Sequence, residues 1–430
     1  MSDFIEELKW RGLIHDSTPG IQEFLNHKCR TAYIGFDPTS DSLHIGNLVP
    51  IMLLSHFQKT GHKPIALIGG ATGMIGDPSG KSTERKLLDE PTLKHNQLCL
   101  KDQLSSFLSF DRKSNNHALV LNNYDWMKDL TFLKFIRDIG KHITINYMIS
   151  KDSVKNRISS DSGSGMSFTE FTYQMVQGFD FLFLNRNHNC SIQMGGSDQW
   201  GNITTGTELI RRIDKGKGYA LTCPLITKSD GSKFGKSEDG NIWLNKEKTS
   251  VYKFYQYWLN TSDEDAKNYI KIFTFLTKEI IKELILEHES NPHLRILQKR
   301  LAFEITQTVH SSKELNNAIK ASGILFSKEF RKEIEEINEN LFLDIFEGVP
   351  IHEISLNQIN DGINIIKLLS EITGFLPSNS EARRALKENS ISVNKNKVNE
   401  TFIIGNGDLI NKKYIVLNRG KKKTFIIKVG

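Results

Sequence analysis

The chain has 430 residues, of which 38% are hydrophobic and 25% charged, a balance typical of a soluble protein of two or three domains with a sizeable core. No apolar run approaches the ~18 residues of a membrane span, and the acidic, amphipathic start is unlike a signal peptide, so a membrane protein is excluded and a cytoplasmic one expected. The four cysteines lie too far apart for zinc or redox pairs, and no metal site is predicted.

Charge is distributed unevenly along the chain. The formal net charge is +6, but residues 355–430 carry 13 Lys and Arg against 6 Asp and Glu, which leaves the preceding part close to neutral. Clustered positive charge attracts nucleic-acid phosphates. The C-terminal segment is therefore predicted to contact a nucleic acid.

Residues 31–225 alternate short β-rich runs with helical stretches. This alternation predicts an α/β fold, a Rossmann-like doubly wound parallel sheet that binds ligands at the carboxyl ends of its strands. The predicted strands are 31–36, 64–69, 118–121 and 191–194. The predicted helices are 48–60, 93–110, 132–140 and 168–183.

Two short motifs in this region indicate a nucleotide site. His44-Ile45-Gly46-Asn47 separates a predicted strand from a predicted helix, so its imidazole and amide are expected at a helix N-terminus, where free N–H groups favour an anion. Lys233-Phe234-Gly235-Lys236-Ser237 follows the polar stretch 228–232 and is predicted to form a mobile loop. Together they predict a site that holds phosphates while a bond breaks. A P-loop at 76–82 is rejected, because its glycines are one residue too close.

The sequence changes character beyond this loop. Residues 249–345 have few glycines and apolar residues at three-and-four spacing, which predicts a helical domain. An acidic stretch with a glycine and a proline follows, and it predicts a linker over 346–362. The predicted organisation is a catalytic domain over 1–225, a loop region over 226–248, the helical domain, the linker, and a small α/β domain over 363–430.

One predicted helix carries a polar stripe. Tyr173, Gln177 and Asp180 stand at i, i+4 and i+7, which places a hydroxyl, an amide and a carboxylate on one helix face. Such a stripe is ordinarily a solvated surface. Its apolar neighbours, such as Phe171 and Phe179, favour the alternative that the stripe lines a pocket.

Longer stretches of the chain resemble a known family. Residues 33–47, from Tyr-Ile-Gly-Phe-Asp-Pro-Thr to His-Ile-Gly-Asn, are similar to the signature of class I aminoacyl-tRNA synthetases in their bacterial, tyrosine-specific form. Residues 69–81, 168–180 and 195–202 resemble the same family, in the same order. The resemblance implies an enzyme that activates L-tyrosine with ATP and Mg²⁺ and then transfers tyrosine to the 3′-terminal ribose of tRNA(Tyr).

The resemblance also implies residue roles on the tyrosine side. The phenolic hydroxyl would meet Tyr33 and Asp180, and the carboxyl group would meet Gln199. The α-ammonium would be held by Asp77, Tyr173 and Gln177. An unpaired hydroxyl and carboxylate at the pocket floor would then disfavour phenylalanine.

On the nucleotide side, the resemblance implies that Thr39 and His44 meet the γ-phosphate and that Asn47 and Asp198 face the ribose. Mobile phosphate clamps are implied at Lys81, Arg85, Lys233 and Lys236. The implied ATP-binding set is Gly35, Asp37, His44, Gly46, Asn47, Gly196, Asp198 and Lys236. No residue needs to be a nucleophile, because the substrate carboxylate attacks the α-phosphate in line while the protein positions it.

The C-terminal segment resembles the small RNA-binding domain named after ribosomal small-subunit protein four, through residues 380–386 and 391–394. Phosphate contacts are predicted at Arg383, Arg384, Lys387, Lys395, Lys397, Lys421, Lys422 and Lys423. By resemblance, the helical domain docks the anticodon side of the tRNA. The family is homodimeric, and its interface corresponds to 125–127 and 130–150.

Three positions depart from the family pattern, and none is expected to abolish activity. Asn47 stands where the family usually has histidine, and an amide N–H makes a similar hydrogen bond. Ile34 stands where cysteine is common, so one weak hydrogen bond to the ribose is lost. Pro50 lies near the first turn of a helix, where its missing N–H costs little.

Three alternatives remain open at this point. A tryptophan-specific relative is disfavoured, because Tyr33 and Asp180 suit a hydroxyl. A non-catalytic RNA-binding protein descended from a synthetase is disfavoured by the presence of His44, Asp77 and the two loop lysines. Another nucleotidyltransferase with the same helix would not need the basic C-terminal segment.

Overall fold

The structure is a computed structural model, and it describes residues 3–26, 28–79, 88–151, 154–155, 166–237, 240–324, 327, 329–420 and 423–430, with Lys236 and Ser237 considered through their backbone alone. It divides into a first unit, Met1–Thr249 with Tyr257–Ser311, and a second unit, Ser250–Gln256 with Ser312–Gly430.

A six-stranded sheet organises the first unit. Its strands are β1 (Asp16–Ser17), β2 (Thr31–Phe36), β3 (Lys63–Ile68), β4 (Leu119–Asn122), β5 (Cys190–Gly196) and β6 (Tyr219–Cys223), in the spatial order β1-β6-β5-β2-β3-β4. Neighbouring strands run parallel except for the edge pair of β1 and β6. The chain leaves β2 toward β3 on one side and returns to β5 on the other, so the carboxyl end of β2 is a switch point of the kind that binds ligands. The predicted doubly wound fold is confirmed.

Helices cover this sheet. Those that precede the motif loop are α1 (Phe4–Arg11), α2 (Ile21–Asn26), α3 (Leu48–Lys59), α4 (Thr72–Ile75), α5 (Glu90–Leu104), α6 (Tyr124–Met127), α7 (Phe132–Asp138), α8 (Ile145–Ile149), α9 (Phe168–His188) and α10 (Trp200–Asp214). Helix α5 begins and ends earlier than predicted, because Asp89 caps it by accepting the N–H of Thr92 at 2.8 Å. Helix α9 runs to His188 and ends where Asn189 adopts a left-handed conformation, φ 51°.

The core under the site is apolar and continuous. Leu182 and Leu184 of α9 and Leu209 and Ile210 of α10 pack with Tyr33 of β2 in one buried cluster. Gly206 of α10 allows the close approach of the two helices, since a Cβ there would lie 2.8 Å from the Cβ of Phe181. This packing fixes the positions of β2, α9 and α10 relative to one another beneath the polar stripe.

A two-stranded hairpin and a group of helices follow. The hairpin consists of β7 (Lys236–Ser237) and β8 (Gly240–Asn241). The helices are α11 (Val251–Leu259), α12 (Asp263–Phe273), α13 (Lys278–Ser290), α14 (Ile296–Val309), α15 (Ser312–Ile324), α16 (Phe330–Glu335) and α17 (Glu339–Ile345). The division into units splits the predicted helical domain, because α12 to α14 belong to the first unit and α15 to α17 to the second.

The second unit contains a five-stranded sheet in the order β12-β11-β14-β15-β9. From residue 351 onward, the elements of this unit are β9 (Ile351–Ile354), α18 (Leu356–Asn360), β10 (Ile363–Asn364), α19 (Ile365–Lys367), α20 (Asn379–Lys387), β11 (Ile391–Val393), β12 (Asn396–Lys397), β13 (Ile403–Ile404), β14 (Tyr414–Arg419) and β15 (Lys423–Val429). Strands β10 and β13 pair with each other in a separate two-stranded sheet. Helices α15 to α17 pack on this sheet through Phe342, Phe346 and Tyr414.

The predicted linker over 346–362 is wrong. Residues Ile351–Ile354 form β9, which pairs in parallel with β15, and Ile354 is buried. The acidic composition of this stretch concealed a strand, because its pairing partner lies at the far end of the chain. In the part of the chain that the structure describes, no helix is long and apolar enough to cross a membrane.

Candidate active site

The polar stripe of helix α9 faces the interior of the first unit. Ser167 and Glu170 cap the helix reciprocally, each side chain accepting the other's backbone N–H at 3.2 Å. Tyr173 and Asp180 are buried and Gln177 is half-buried. The stripe is therefore turned toward the interior and is not a solvated surface.

Tyr33 and Asp180 are both buried in this interior, close enough for the Asp180 carboxyl to act electrostatically on Tyr33. Tyr33 is 1% exposed, and among the described residues its hydroxyl has no hydrogen-bond partner. Asp180, also 1% exposed, accepts hydrogen bonds from Asn123 Nδ2 and Trp126 Nε1, both at 2.9 Å. Burial raises the pKa of Asp180 to about 7, although the two hydrogen bonds oppose the shift. Burial, and the nearby Asp180 carboxyl, raise the pKa of Tyr33.

This pair offers a ligand hydroxyl both a donor and an acceptor. A buried hydroxyl without a partner costs roughly 1–3 kcal/mol, so a ligand that pairs it recovers that free energy. Asn123 and Trp126 fix the orientation of the carboxylate from behind. The arrangement suits a ligand that ends in a hydroxyl.

Asp37, at the carboxyl end of β2, orients Tyr173. Its Oδ2 accepts the Tyr173 hydroxyl at 3.0 Å, and its Oδ1 accepts the Thr72 hydroxyl at 2.7 Å. Gly69 provides the space, since a Cβ there would lie 2.1 Å from Asp37 Oδ1. Because Tyr173 donates its proton to Asp37, the lone pairs of its oxygen can accept from a cationic N–H group. Asp37, which is predicted to bind ATP, thus contacts Tyr173, which is predicted to bind tyrosine.

An amide network joins the remaining tyrosine-side residues. Gln177 Oε1 accepts from Asn202 Nδ2 at 3.0 Å, and Gln177 Nε2 donates to Gln199 Oε1 at 3.4 Å. Gln199 Nε2 in turn donates to Asp77 Oδ2 at 2.6 Å. Asp77 also accepts the backbone N–H of Ser79 at 2.9 Å. The structure therefore brings Asp77, Gln177 and Gln199 together as the sequence predicts.

The first phosphate motif forms a tight reciprocal cap. Nδ1 of His44 accepts the N–H of Gly46 at 3.0 Å, and Oδ1 of Asn47 accepts the N–H of His44 at 3.0 Å. A Cβ on Gly46 would lie 2.7 Å from the imidazole, so the position requires glycine. Because Nδ1 accepts, a neutral imidazole carries its proton on Nε2. The Asn47 side chain holds the turn, a role that the sequence did not predict.

The second motif lies directly against the first. Gly235 has φ +92°, and a Cβ on it would lie 3.3 Å from the backbone nitrogen of Gly46. Ile45 N–H donates to the carbonyl of Ile242 at 2.9 Å, and Ile242 N–H donates to the carbonyl of Gly235 at 3.2 Å. The two motifs, 189 positions apart in the sequence, thus lie against each other in the structure.

Phe234 anchors the second motif. Its ring packs within 5.1 to 6.4 Å, centroid to centroid, of the rings of Tyr257, Trp258, Tyr269 and Phe273. Lys233, next to it, is exposed. The packed ring of Phe234 beside the exposed side chain of Lys233 fits a loop that stays attached at Phe234 while the lysine side chain moves.

The other predicted nucleotide residues lie around the same strand ends. Thr39 and Gly35 are exposed, and a Cβ on Gly196 would lie 2.5 Å from Asp198 Oδ1. Lys81 and Arg85 lie outside the described residues. Where side chains are described, His, Cys, Asp and Glu form no group of three that could hold a metal ion.

Several site residues escaped the sequence analysis: Thr72, Ser79, Asn123, Trp126 and Asn202. Each acts through a hydrogen bond to a predicted residue. Asn123 was the easiest to find, since it follows β4 at the carboxyl end of a parallel strand.

The second unit presents part of the predicted RNA surface. Arg383, Arg384 and Lys387 of α20 are exposed and line a groove of about 460 Å³. The turn after β11 is formed by Asn394 and Lys395, both with positive φ. Three predicted lysines have polar partners: Lys397 donates to Asn389 O at 2.7 Å, Lys423 donates to Phe375 O at 2.9 Å, and Lys387 forms an ion pair with Glu400 at 3.9 Å. Lys421 and Lys422 lie outside the described residues.

Comparisons with known proteins identify the family of the chain. The family model described as tRNA synthetases class I (W and Y) matches residues 25–327, and the model described as Tyrosine--tRNA ligase SYY-like C-terminal domain matches residues 342–427. The chain therefore belongs to the class I tRNA synthetases of the tryptophan and tyrosine group. Its C-terminal segment is similar to the corresponding domain of the tyrosine ligases.

Individual relatives span the whole chain. The tyrosine--tRNA ligase of Flavobacterium psychrophilum is 61% identical over 431 residues, which cover 100% of both chains. That of Porphyromonas gingivalis is 57% identical over 426 residues and covers 99% of each. The solved structure of a C-terminally truncated mitochondrial tyrosyl-tRNA synthetase from Aspergillus nidulans superposes with a TM-score of 0.66 at 32% identity, over 74% of this chain and 92% of that one.

Proposed function

We propose that this chain is a tyrosine–tRNA ligase. It converts L-tyrosine and MgATP to tyrosyl-adenylate and pyrophosphate, and it then transfers tyrosine to the 3′-terminal ribose of tRNA(Tyr). The observation that carries the proposal is the buried, unpartnered hydroxyl of Tyr33 beside the buried carboxylate of Asp180. The names of the full-length relatives support the same assignment.

Tyr33 and Asp180 recognise the phenolic hydroxyl of the substrate tyrosine. Tyr33 donates to the phenolic oxygen, and the phenolic proton is donated to Asp180, which Asn123 and Trp126 hold in place. Phenylalanine and tryptophan offer no hydroxyl there, so their binding leaves two buried polar groups unpaired. This argument favours tyrosine over the tryptophan-specific alternative.

The α-ammonium is held at the other end of the stripe. Tyr173 accepts an ammonium N–H because its own proton is committed to Asp37. Asp77 supplies the negative charge, and Gln177 supplies an amide oxygen. Gln199 lies between Asp77 and Gln177, where its amide can donate to the substrate carboxylate.

The chemical step needs positioning rather than a protein nucleophile. A carboxylate oxygen of tyrosine attacks the α-phosphorus, and the bond to the bridging oxygen of the β-phosphate breaks as pyrophosphate leaves. Nε2–H of His44 donates to the phosphates, and the Mg²⁺ that accompanies ATP neutralises part of their charge. Lys233, Lys236, Lys81 and Arg85 are the proposed clamps that close as pyrophosphate departs. Binding the leaving group more tightly in the transition state than in the ground state is what raises the rate.

The tRNA is bound by the basic surface of the second unit. The exposed side chains of Arg383, Arg384 and Lys387 line one groove on α20. Ala382 and Ala385 of the same helix are buried, so the basic face of the helix is turned outward. A groove lined by these positive charges suits a phosphate backbone. Lys395 and Lys397 extend the surface at the adjacent turn. The affinity for tRNA should fall steeply with salt concentration.

The active form is a homodimer in the cytoplasm. Six large apolar side chains on α7, α8 and the start of α9 are between 40% and 79% exposed: Phe132, Leu133, Ile136, Ile145, Ile149 and Phe168. Large exposed apolar side chains concentrated in one segment of the chain favour a protein interface there. A second copy of the chain is the proposed partner, since the family interface corresponds to the same segment.

The charging reaction tests the proposed function. The full chain is incubated with MgATP, labelled tyrosine and total bacterial tRNA, and the label that becomes acid-precipitable is measured. An alkali-labile tyrosyl ester on tRNA is expected, and it should depend on ATP. RNA binding without charging would instead favour a non-catalytic RNA-binding protein.

A further inference from the structure

A chain of hydrogen bonds runs behind the tyrosine-side residues, and Thr72 of α4 lies at its centre. Thr72 Oγ1 donates to Asp37 Oδ1 at 2.7 Å and accepts from Asn123 Nδ2 at 3.1 Å. Thr72 and Asn123 are both buried. Because one hydroxyl acts as donor and acceptor at once, it joins side chains that follow two different strands, β2 and β4.

Asn123 continues this chain to the phenol end of the site. Its Oδ1 accepts the N–H of Ala71 at 2.7 Å, which prevents the amide from turning over. The two Nδ2 protons are thereby directed at Thr72 Oγ1 and at Asp180 Oδ2, the latter at 2.9 Å. The position of Asp180 is therefore tied to that of Thr72.

Asp37 continues the chain to the ammonium end. Its Oδ2 accepts the Tyr173 hydroxyl at 3.0 Å, while its Oδ1 accepts the hydroxyl of Thr72. A Cβ on Gly69 would overlap both Asp37 Oδ1 and Thr72 Oγ1, so glycine is needed to leave room for this bond. Asp180 and Tyr173, which belong to the same face of α9, are thus also connected through Thr72.

The two carboxyl groups joined by this chain act on each other. Burial raises the pKa of Asp180 to about 7, and the Asp37 carboxyl adds to the rise. Thr72 donates to one of these carboxyls and Asn123 to the other. In a buried site such donors offset the repulsion, and they determine how far apart the two groups lie.

We propose that Thr72 is a positioning residue for tyrosine recognition, which fixes the distance between the group that meets the phenol and the group that meets the α-ammonium. The proposal rests on the proposed function of the site. It goes beyond that function because Thr72 acts through Asn123 and Asp37 and belongs to neither set of residues assigned to the substrate. A ligand that must satisfy both ends at once depends on this distance, whereas a ligand that uses one end does not.

Tyrosine and phenylalanine together report this distance, since phenylalanine uses the ammonium end alone. The tyrosine Kd of the full chain is measured by equilibrium dialysis, and the phenylalanine Kd by competition with labelled tyrosine. T72V keeps the shape of the side chain and removes its hydroxyl, so the tyrosine Kd should rise by ~10-fold or more and the phenylalanine Kd by only ~3-fold. T72S keeps the hydroxyl, and both constants should stay within about 3-fold of the wild type.

T60V is the matched control. Thr60 and Thr72 are both 4% exposed, but the hydroxyl of Thr60 donates to the carbonyls of His56 and Phe57 in its own helix, α3. The loss of a buried threonine hydroxyl is therefore the same in both variants, and only T72V removes the connection between the two ends of the site. T60V should leave both dissociation constants unchanged.

NMR of the Asn123 side-chain amide tests the connection without any ligand. The amide resonances are identified by their loss in N123D, and T72V should move one of the two proton resonances upfield, whereas T60V should move neither. This result judges the connection even if the wild type binds no tyrosine, an outcome that would overturn the proposed function.

The remaining outcomes decide the role of Thr72. An equal rise in both constants would place Thr72 at the ammonium end alone, and a rise for tyrosine with none for phenylalanine would place it at the phenol end alone. Either result, an unchanged tyrosine Kd in T72V, or unmoved amide resonances would overturn the proposal.

Discussion

The hydroxyl of Tyr173 donates a hydrogen bond to Oδ2 of Asp37 over 3.0 Å, and this bond determines what Tyr173 offers to a substrate. With its proton directed at the carboxylate, the phenolic oxygen presents lone pairs to the pocket. A neutral partner could reverse the bond by donating to Tyr173. In the proposed function, the charge on Asp37 therefore contributes to the recognition of the substrate's α-ammonium.

The substitution D37N tests that relationship. An amide at this position can donate to the Tyr173 oxygen and so consume a lone pair that the ammonium needs. We expect the tyrosine Kd to rise by ~10-fold, on the scale of one hydrogen bond to a charged group, and KM for ATP to stay unchanged. Equilibrium dialysis with labelled tyrosine measures the first constant and pyrophosphate exchange the second. D102N, on the exposed surface of α5, is the matched control. A rise in KM for ATP alone would instead place Asp37 on the nucleotide side.

The substitution Y33F separates recognition from stability. Since the Tyr33 hydroxyl has no partner among the described residues, its removal should leave the free energy of unfolding of the free protein unchanged or raise it by ~1 kcal/mol. The same change should lower kcat/KM for tyrosine by ~10-fold or more, because the phenolic oxygen loses its donor. Urea unfolding and exchange kinetics measure the two effects. A variant that is both less stable and fully active would contradict this assignment.

The titration of Asp180 predicts a pH dependence of stability. Burial raises its pKa to about 7 in the folded protein, well above that of an exposed aspartate, so the folded state favours the protonated form. The resulting stabilisation is present below about pH 4 and is lost at ~1.4 kcal/mol per pH unit as the pH rises to about 7. The free energy of unfolding of the wild type should therefore fall relative to that of D180N over this range. The pH dependence that comes from groups common to both proteins cancels in this comparison. Parallel pH profiles of the two free energies of unfolding would refute the raised pKa of Asp180.

The apolar surface on α7 and α8 predicts a dimer. Leu133 is 79% exposed within this surface, and Leu98 of α5 is 68% exposed outside it. A carboxylate buried in an interface is costly, so L133D should convert a dimer to a monomer, whereas L98D should leave the dimer intact. Sedimentation velocity measures both. A wild-type monomer, or dissociation by both substitutions alike, would count against this interface.

The sheet of the first unit and its motifs could be predicted because their signals are local. Strand β2, the turn at His44 and helix α3 follow one another within residues 31–59, so hydrophobic pattern and turn chemistry suffice. The polar stripe of α9 could be predicted for the same reason, since its three residues occupy two turns of one helix. The ends of α5 and α9 were missed, because capping by Asp89 and Asn189 decides them rather than apolar periodicity.

The supporting contacts could not be predicted, because they join distant segments. Asn123 and Asp180 are 57 residues apart, and nothing in either local sequence indicates that they meet. Strand β9 pairs with β15 at the far end of the chain, and without that partner its acidic neighbourhood resembles a linker. Trp243 has no motif of its own, and only the tertiary structure brings it opposite His44. Long-range pairing is a property of the tertiary structure that a single sequence does not display.

The most direct test of the account is amino-acid-dependent exchange of labelled pyrophosphate into ATP by the full chain, with tyrosine, phenylalanine and tryptophan compared side by side. The account predicts rapid exchange with tyrosine and very slow exchange with the other two, because only tyrosine pairs the buried groups of Tyr33 and Asp180. Equal exchange with phenylalanine or tryptophan, or no exchange in protein shown to be folded, would contradict it.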